Sequence, residues 1–287
     1  MAENSKKLLP IAGSESPQKC FLYFKECKRY ENLKRIPDEI IPHSTNAIRF
    51  VCISDTHGKH SEIRDLPEGD ILIHSGDFSM LSHKNELESF NNYLGTLKNK
   101  FKHIVVIAGN HDISFDDKKW NSSSIVLSVA KTYYLGSPFA KMLSPEDSKS
   151  ILTNCHYLQD DFIIIDGIKI YGSPWQPPHF DLAFNLTRGN NIMEKWNNIP
   201  SDTDILITHG PPLGIGDEIS NSYHVGCADL LVTVQDRVKP KFHIFGHIHE
   251  SHGMWSDGTT TFINATICDK KYEPVQSPIV FDYYCNK

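Results

Sequence analysis

From Ala47 onward, short apolar runs rich in Ile and Val alternate with segments whose apolar residues recur at helical spacing. The runs Arg49–Ser54, Asp70–Ser75, His103–Ala108, Phe162–Asp166, Ile168–Tyr171, Asp204–Thr208, Phe242–Phe245, Thr259–Asn264 and Pro278–Tyr283 read as strands. Most are uninterrupted, as expected where both faces of a strand are buried. Gly167, between two runs, predicts a hairpin turn. Leu87, Phe90, Leu94 and Leu97 mark one face of a helix over Lys84–Lys98. Ser144-Pro145 supplies a cap and a proline at the first helical position. Gly226–Val238 reads as a helix with Leu230, Leu231 and Val234 inward, stopped before Pro240. Strand–helix alternation with hairpins predicts an α/β fold with a mixed sheet or two stacked sheets. Residues 1–46 are polar and aperiodic and read as an N-terminal extension. One short element near Lys19–Leu33 would pack it on the body through Phe21, Tyr23, Phe24 and Tyr30. Residues 47–287 read as one domain.

Charge narrows the function. The 287 residues carry 29 Lys+Arg and 35 Asp+Glu, a net charge of −6. That balance argues against general nucleic-acid binding, which needs Lys and Arg to neutralise phosphates. The longest apolar runs fall far short of the roughly 18 residues of a membrane span. Met1–Pro10 holds no signal-peptide core and no myristoylation glycine. A soluble, cytoplasmic chain is expected. The seven Cys are scattered without zinc-ribbon spacing and read as reduced thiols. Fifteen His against seven Cys points any metal site toward imidazole and carboxylate ligands.

The chemistry-bearing residues cluster just past the strands' C-terminal ends, the edge where open α/β sheets bind ligands. They are Asp55-Thr56-His57, Gly76-Asp77, Gly109-Asn110-His111-Asp112, Thr208-His209-Gly210 and Gly246-His247-Ile248-His249. Taken singly, each has an ordinary reading. Asp55-x-His57 fits a capped turn, Gly76-Asp77 and Gly109-Asn110 are common turn pairs, and His209 could be a core histidine. His247-x-His249 can present two imidazoles to one metal, yet such a pair alone is more often not a site. Five such groups, all at strand ends, are not a chance pattern.

Their order and spacing resemble the calcineurin-like metallophosphoesterase superfamily. Within it the similarity extends to the animal metallophosphoesterase-domain subfamily related to class III cyclic nucleotide phosphodiesterases, through Asp70–Phe78, Tyr171–Trp175, Thr208–Pro212 and Gly246–Glu250. The resemblance implies a four-layer αββα sandwich of two mixed β-sheets flanked by helices. It implies one divalent ion on Asp55, His57, Asp77 and His249, and a second on Asp77, Asn110, His209 and His247, with Asp77 bridging. The donors suit Mn²⁺ first, with Fe, Zn²⁺ or Mg²⁺ as alternatives. Such a pair acidifies water for in-line attack and neutralises phosphate. His111 would assist the leaving group, with Asp112 orienting its ring. Asn110 and His111 would contact substrate. Read from the residues themselves, Trp175 could stack on a substrate base or form a hydrophobic lid over the site, and Arg188 and Asn185 could contact a phosphate. The phosphatase Asp and Arg that follow the bridging Asp are missing from Gly76-Asp77-Phe78-Ser79-Met80. The implied activity is therefore a phosphodiesterase hydrolysing cyclic nucleotides or other small phosphodiesters, and the implied partner is a small phosphate ester, a cyclic nucleotide or mononucleotide. The alternatives are a monoesterase or nucleotidase of the same fold, or a nucleotide-binding scaffold of low activity. Oligomeric state is not implied.

Overall fold

The run Ile48–Ile53 (β2) shows how the sequence builds layers. Phe50 and Cys52 join one apolar cluster, while Val51 and Ile53 join another. Successive strand side chains point to opposite faces, so both faces of this strand are covered. The structure, a computed structural model, describes residues 7–37, 46–120, 132 and 143–284.

Among the described residues the strands form two sheets. The first runs β12 (Ile279–Tyr283), β2, β3 (Ile71–His74), β4 (His103–Val106) and β5 (His156–Tyr157). Its strands are parallel except β12, which pairs antiparallel with β2. The second runs β1 (Lys34–Ile36), β10 (Gly253–Ser256), β11 (Thr261–Asn264), β9 (Phe242–Phe245), β8 (Ile205–Thr208), β7 (Ile168–Ser173) and β6 (Asp161–Ile165). Here β11, β9, β8 and β7 are parallel, and the outer strands are antiparallel. Between the sheets lie Phe50, Cys52, Ile71, Ile73, Val105 and Ile107 of the first, with Ile168, Ile170, Ile205, Ile207, Ile244 and Ile263 of the second.

Helices cover the outer faces: α1 (Pro17–Glu26), α2 (Lys84–Thr96), the short α3 (Asp117–Trp120), α4 (Pro145–Ile151), α5 (Asn190–Asn197) and α6 (Ala228–Val232). In α2, Leu87, Phe90 and Leu94 are fully buried, and Glu86 caps the helix by accepting the His83 N–H at 2.8 Å. Ser144 Oγ accepts from Asp147 N at 3.1 Å and opens α4. The fold is thus the four-layer sandwich of two mixed sheets flanked by helices.

Several expectations need correction. The Gly226–Val238 helix is α only over α6 and continues as a π-helical turn over Thr233–Val238. Lys239 then takes the left-handed backbone of a helix cap, φ 52°, its N–H donating to Val234 O at 2.8 Å, and Pro240 follows. β6 is an edge strand with Phe162 and Ile164 exposed rather than buried. β1, β5 and β10 escape the sequence pattern because two to four mixed residues carry no periodicity. Their partner strands define them. Before residue 46, Phe24 is buried, Phe21 stacks on His224 at 3.7 Å and Tyr30 donates its hydroxyl to Leu213 O, but Tyr23 stays exposed. Cys20, Cys27, Cys52, Cys155, Cys227 and Cys268 are free thiols. Cys285 lies outside the described residues.

Candidate metal centre

The parallel strands β2, β3, β4, β8 and β9 deliver their following loops to one edge, and the loops lace together through backbone. Asp55 N donates to Gly76 O at 2.9 Å, and His57 N to Asp77 O at 3.0 Å. Gly246 N donates to His209 O at 2.9 Å. Carboxylates close the remaining gaps: Asp55 Oδ2 accepts from His247 N at 2.9 Å and Asp77 Oδ1 from His111 N at 2.7 Å. Asp55, His57, Asp77 and His247 have positive φ of 53°, 44°, 55° and 70°. Each such residue costs of order 1–3 kcal/mol and persists only where its surroundings impose it, typically at functional sites.

Among the described residues three groups bring their ligand-type atoms within 4.8 Å of one another: Asp55, His57 and His249; His57, Asp77 and His111; and Asp77, His209 and His247. Asn110 joins the last, its Oδ1 2.9 Å from His209 Nε2. His249 donates Nδ1–H to Asp269 O at 2.8 Å, and His209 donates Nδ1–H to Ser75 O at 3.0 Å. Metal-bound histidines are oriented this way, the second nitrogen on a carbonyl. It leaves each Nε2 with a lone pair facing other acceptors. His249 Nε2 meets Asp55 Oδ1 at 3.4 Å and His57 Nε2 at 3.3 Å, and His209 Nε2 meets Asp77 Oδ2 at 3.4 Å. Asp55 Oδ1 is buried with no hydrogen-bond partner. Clustered, dry acceptors need either protons or cations between them, so the donor set fits divalent ions.

Without ions, protons take that place. Burial pulls the His209 and His249 pKa values down, but Asp77 and Asp55 respectively outweigh it and hold both at about 9. Burial raises the Asp77 and Asp55 carboxyls, yet the neighbouring imidazolium charges win and keep both below the carboxylate range. His57 falls to about 3, from burial first and then His111, and burial also drives His247 well down. Asp55 and Asp77 are therefore ionised.

The structure brings Asp55, His57, Asp77, Asn110, His111, His209, His247 and His249 together and moves three other residues out of their expected roles. Asp112 does not orient the His111 ring. His111 Nδ1 bonds Met80 O at 2.9 Å. Asp112 instead accepts from Asp77 N, Gly109 N, Ser79 N and Ser79 Oγ at 2.7–3.0 Å, clamping the Asp77 loop to the Gly109 loop. Trp175 is buried at 6% exposure, its Nε1 on Asp160 Oδ2 at 2.8 Å, with Lys195 Nζ over the ring. A base cannot stack on a face already occupied. Arg188 gives both terminal nitrogens to Val225 O and Gly226 O at 2.6 Å, so its guanidinium braces a loop rather than a phosphate. His74 supports Thr56 Oγ1 at 3.0 Å from within the core. Asn185 shapes the neighbouring loop through His179 and Phe180. Two aromatic neighbours of the centre lie outside every motif. Tyr272 sits 4.7 Å from His57 and His179 sits 4.9 Å from His247, centroid to centroid. No local pattern marks them, because both contacts are made by loops remote in sequence.

This sandwich, with its strand-end imidazoles and carboxylates, defines a metal-dependent phosphoesterase. A calcineurin-like phosphoesterase profile matches residues 48–251, and the chain belongs to that family. Metallophosphoesterase domain-containing protein 1 of Homo sapiens is 47% identical over 245 residues, 84% of this chain and 72% of that protein. UPF0046 protein C25E10.12 of Caenorhabditis elegans is 41% identical over 289 aligned positions, 98% of this chain and 96% of that one. The solved phosphopantetheinyl hydrolase of Mycobacterium tuberculosis is 12% identical, with a TM-score of 0.47 over 80% of this chain and 92% of that one. Among the described residues no helix is long and apolar enough to cross a membrane.

Proposed function

We propose that the chain is a binuclear-metal phosphodiesterase acting on small phosphodiesters such as cyclic nucleotides. The observation that carries the reading is that Asp77 stands between two donor groups, its Oδ2 3.8 Å from His57 Nε2 on the side of Asp55 and His249 and 3.4 Å from His209 Nε2 on the side of Asn110 and His247. Asp55, His57, Asp77 and His249 would hold one divalent ion, and Asp77, Asn110, His209 and His247 the other. Mn²⁺ suits this mixture of hard oxygens and imidazoles. Bound there, the ions supply charge for the phosphate and lower the pKa of the attacking water. The chain's own groups do the rest. Asp269 O and Ser75 O fix the tautomers of His249 and His209. His111, anchored through its backbone N–H on Asp77 and its Nδ1 on Met80 O, keeps Nε2 available to protonate the leaving alkoxide. Three residues after Asp77 the chain has Met80, followed by Leu81, where the phosphatases carry an Asp and a phosphate-binding Arg. That absence favours a diester over a phosphoprotein substrate.

The test is turnover of an aryl phosphodiester against an aryl phosphomonoester by Mn²⁺-loaded protein. Preferential, metal-stimulated diester hydrolysis that disappears in Asp77→Ala is expected. A monoester preference, or turnover that survives Asp77→Ala, would refute the reading.

A further inference from the structure

Tyr272 lies in the loop that follows β11, outside all five strand-end motifs. Its ring centroid is 4.7 Å from His57 with planes at 86°, 5.5 Å from His249 at 78°, and 6.2 Å from His111 at 70°. One side chain thus meets an imidazole from three different loops of the centre. These near-perpendicular geometries are the favoured ones for aromatic pairs.

The backbone beneath it is costly. Tyr272 has φ 60°, left-handed space that a bulky residue rarely enters. The loop enforces it: Asp269 Oδ1 accepts from Lys271 N and Glu273 N at 2.8 and 3.0 Å, and Tyr272 N donates to Asp269 O at 2.9 Å. The same loop is tied to two of the ligand-bearing segments. Asp269 O receives His249 Nδ1–H, and Glu273 pairs with Lys59 at 2.9 Å, two residues past His57. Burial does not account for the placement, since Tyr272 is 36% exposed. A strained, half-open aromatic held against three imidazoles is a device for orienting them.

We propose that Tyr272 is a positioning residue of the metal centre, fixing the rings of His57, His249 and His111 from the solvent side; this rests on the binuclear reading above. Partners that orient metal-ligating histidines typically cost 10–100-fold in affinity when removed. In the full chain, Tyr272→Gly is expected to weaken Mn²⁺ binding, measured calorimetrically, by about 10–100-fold. The metal-free Tm should fall by less than about 3 °C, because glycine enters the left-handed region freely. Tyr272→Phe keeps the ring contacts and should hold affinity within about threefold of wild type, well inside the loss expected for glycine.

Wild-type affinity in Tyr272→Gly overturns the proposal. So does a larger fall in metal-free Tm, which assigns the residue to folding, or a Phe variant as weak as the Gly variant, which assigns the effect to the hydroxyl. If wild-type protein binds no Mn²⁺, the binuclear reading fails and the proposal falls with it. A Tyr272→Gly variant that binds Mn²⁺ as wild-type protein does overturns the proposal alone.

Discussion

Gly246 lies between β9 and His247, and its φ is outside the left-handed region, so space rather than backbone freedom requires glycine. A Cβ placed there would sit 2.0 Å from Asp55 Oδ2 and 2.2 Å from Ser54 Oγ. Ordinary contact begins at 3.4 Å, so in Gly246→Ala the carboxylate must retreat by about 1.4 Å. It has nowhere to go, since Ser54 and Asp55 are both fully buried. The retreat also breaks the 2.9 Å bond from His247 N to Asp55 Oδ2. Overpacking of this kind costs about 1–3 kcal/mol, and the part-buried His247 N–H left without its partner costs up to about 3 kcal/mol more. At roughly 2–4 °C per kcal/mol for a large domain, Tm should drop by about 5–20 °C. A displacement near 1 Å in a catalytic group costs on the order of 10²-fold in rate. Calorimetric melting without metal, Mn²⁺ titration and turnover of an aryl phosphodiester read the three consequences. Gly210→Ala, whose Cβ would meet only Gln176 Cβ at 3.2 Å and Oε1 at 3.7 Å, serves as the mild comparison. Gly246→Ala protein with wild-type metal stoichiometry and turnover would show that the Asp55 carboxylate is not confined as described.

Three further outcomes are expected. His209 and His249 sit at about 9 in the metal-free chain and must be neutral to ligate, so Mn²⁺ uptake at pH 7 should expel protons and apparent affinity should rise with pH up to about 9; calorimetry in buffers of different ionisation enthalpy detects this, and proton-neutral binding contradicts it. His74 and His243 are pushed by burial to about 3 and His60 to about 4. The unfolded chain therefore binds more protons below pH 6.5, so the stability these neutral residues contribute is complete above pH 6.5 and is lost as pH falls toward 4. The three together reach about 4 kcal/mol per pH unit, and in urea melts at pH 4.5–6 His243→Gln should flatten that slope by about one third. Asp282→Ala removes the carboxylate that bonds the buried Arg49 guanidinium through both oxygens at 2.8 and 2.9 Å; stability should fall by about 3–5 kcal/mol with Mn²⁺ binding retained, and an unchanged urea midpoint would show that the pair contributes nothing.

Much of this centre is legible in one dimension. Apolar runs such as Phe242–Phe245 name the strands, and the polar residues directly after them name the loops that meet at the sheet edges. The motifs bring Asp55, His57, Asp77, Asn110, His209, His247 and His249 to one place because parallel strands in a layered sheet end on the same side. Roles that depend on what a side chain touches were not legible. Asp112 follows His111 in the chain, yet its carboxylate turns to backbone N–H groups of the Asp77 and Gly109 loops. Trp175 and Arg188 carry the right chemistry for a substrate, but Asp160, Lys195 and the carbonyls of residues 225 and 226 already hold them.

Sequence alone determined most of the strands and the ligand types, because periodicity and residue chemistry are local properties. Tertiary structure decided the left-handed backbones of Asp55, His57, Asp77 and His247 and the carbonyls that set the tautomers of His209 and His249. It also decided that Tyr272 lies over three imidazoles. The left-handed backbones cost conformational energy locally, and all of these features are sustained by contacts from residues tens to hundreds of positions away. A local reading of the chain contains no trace of them.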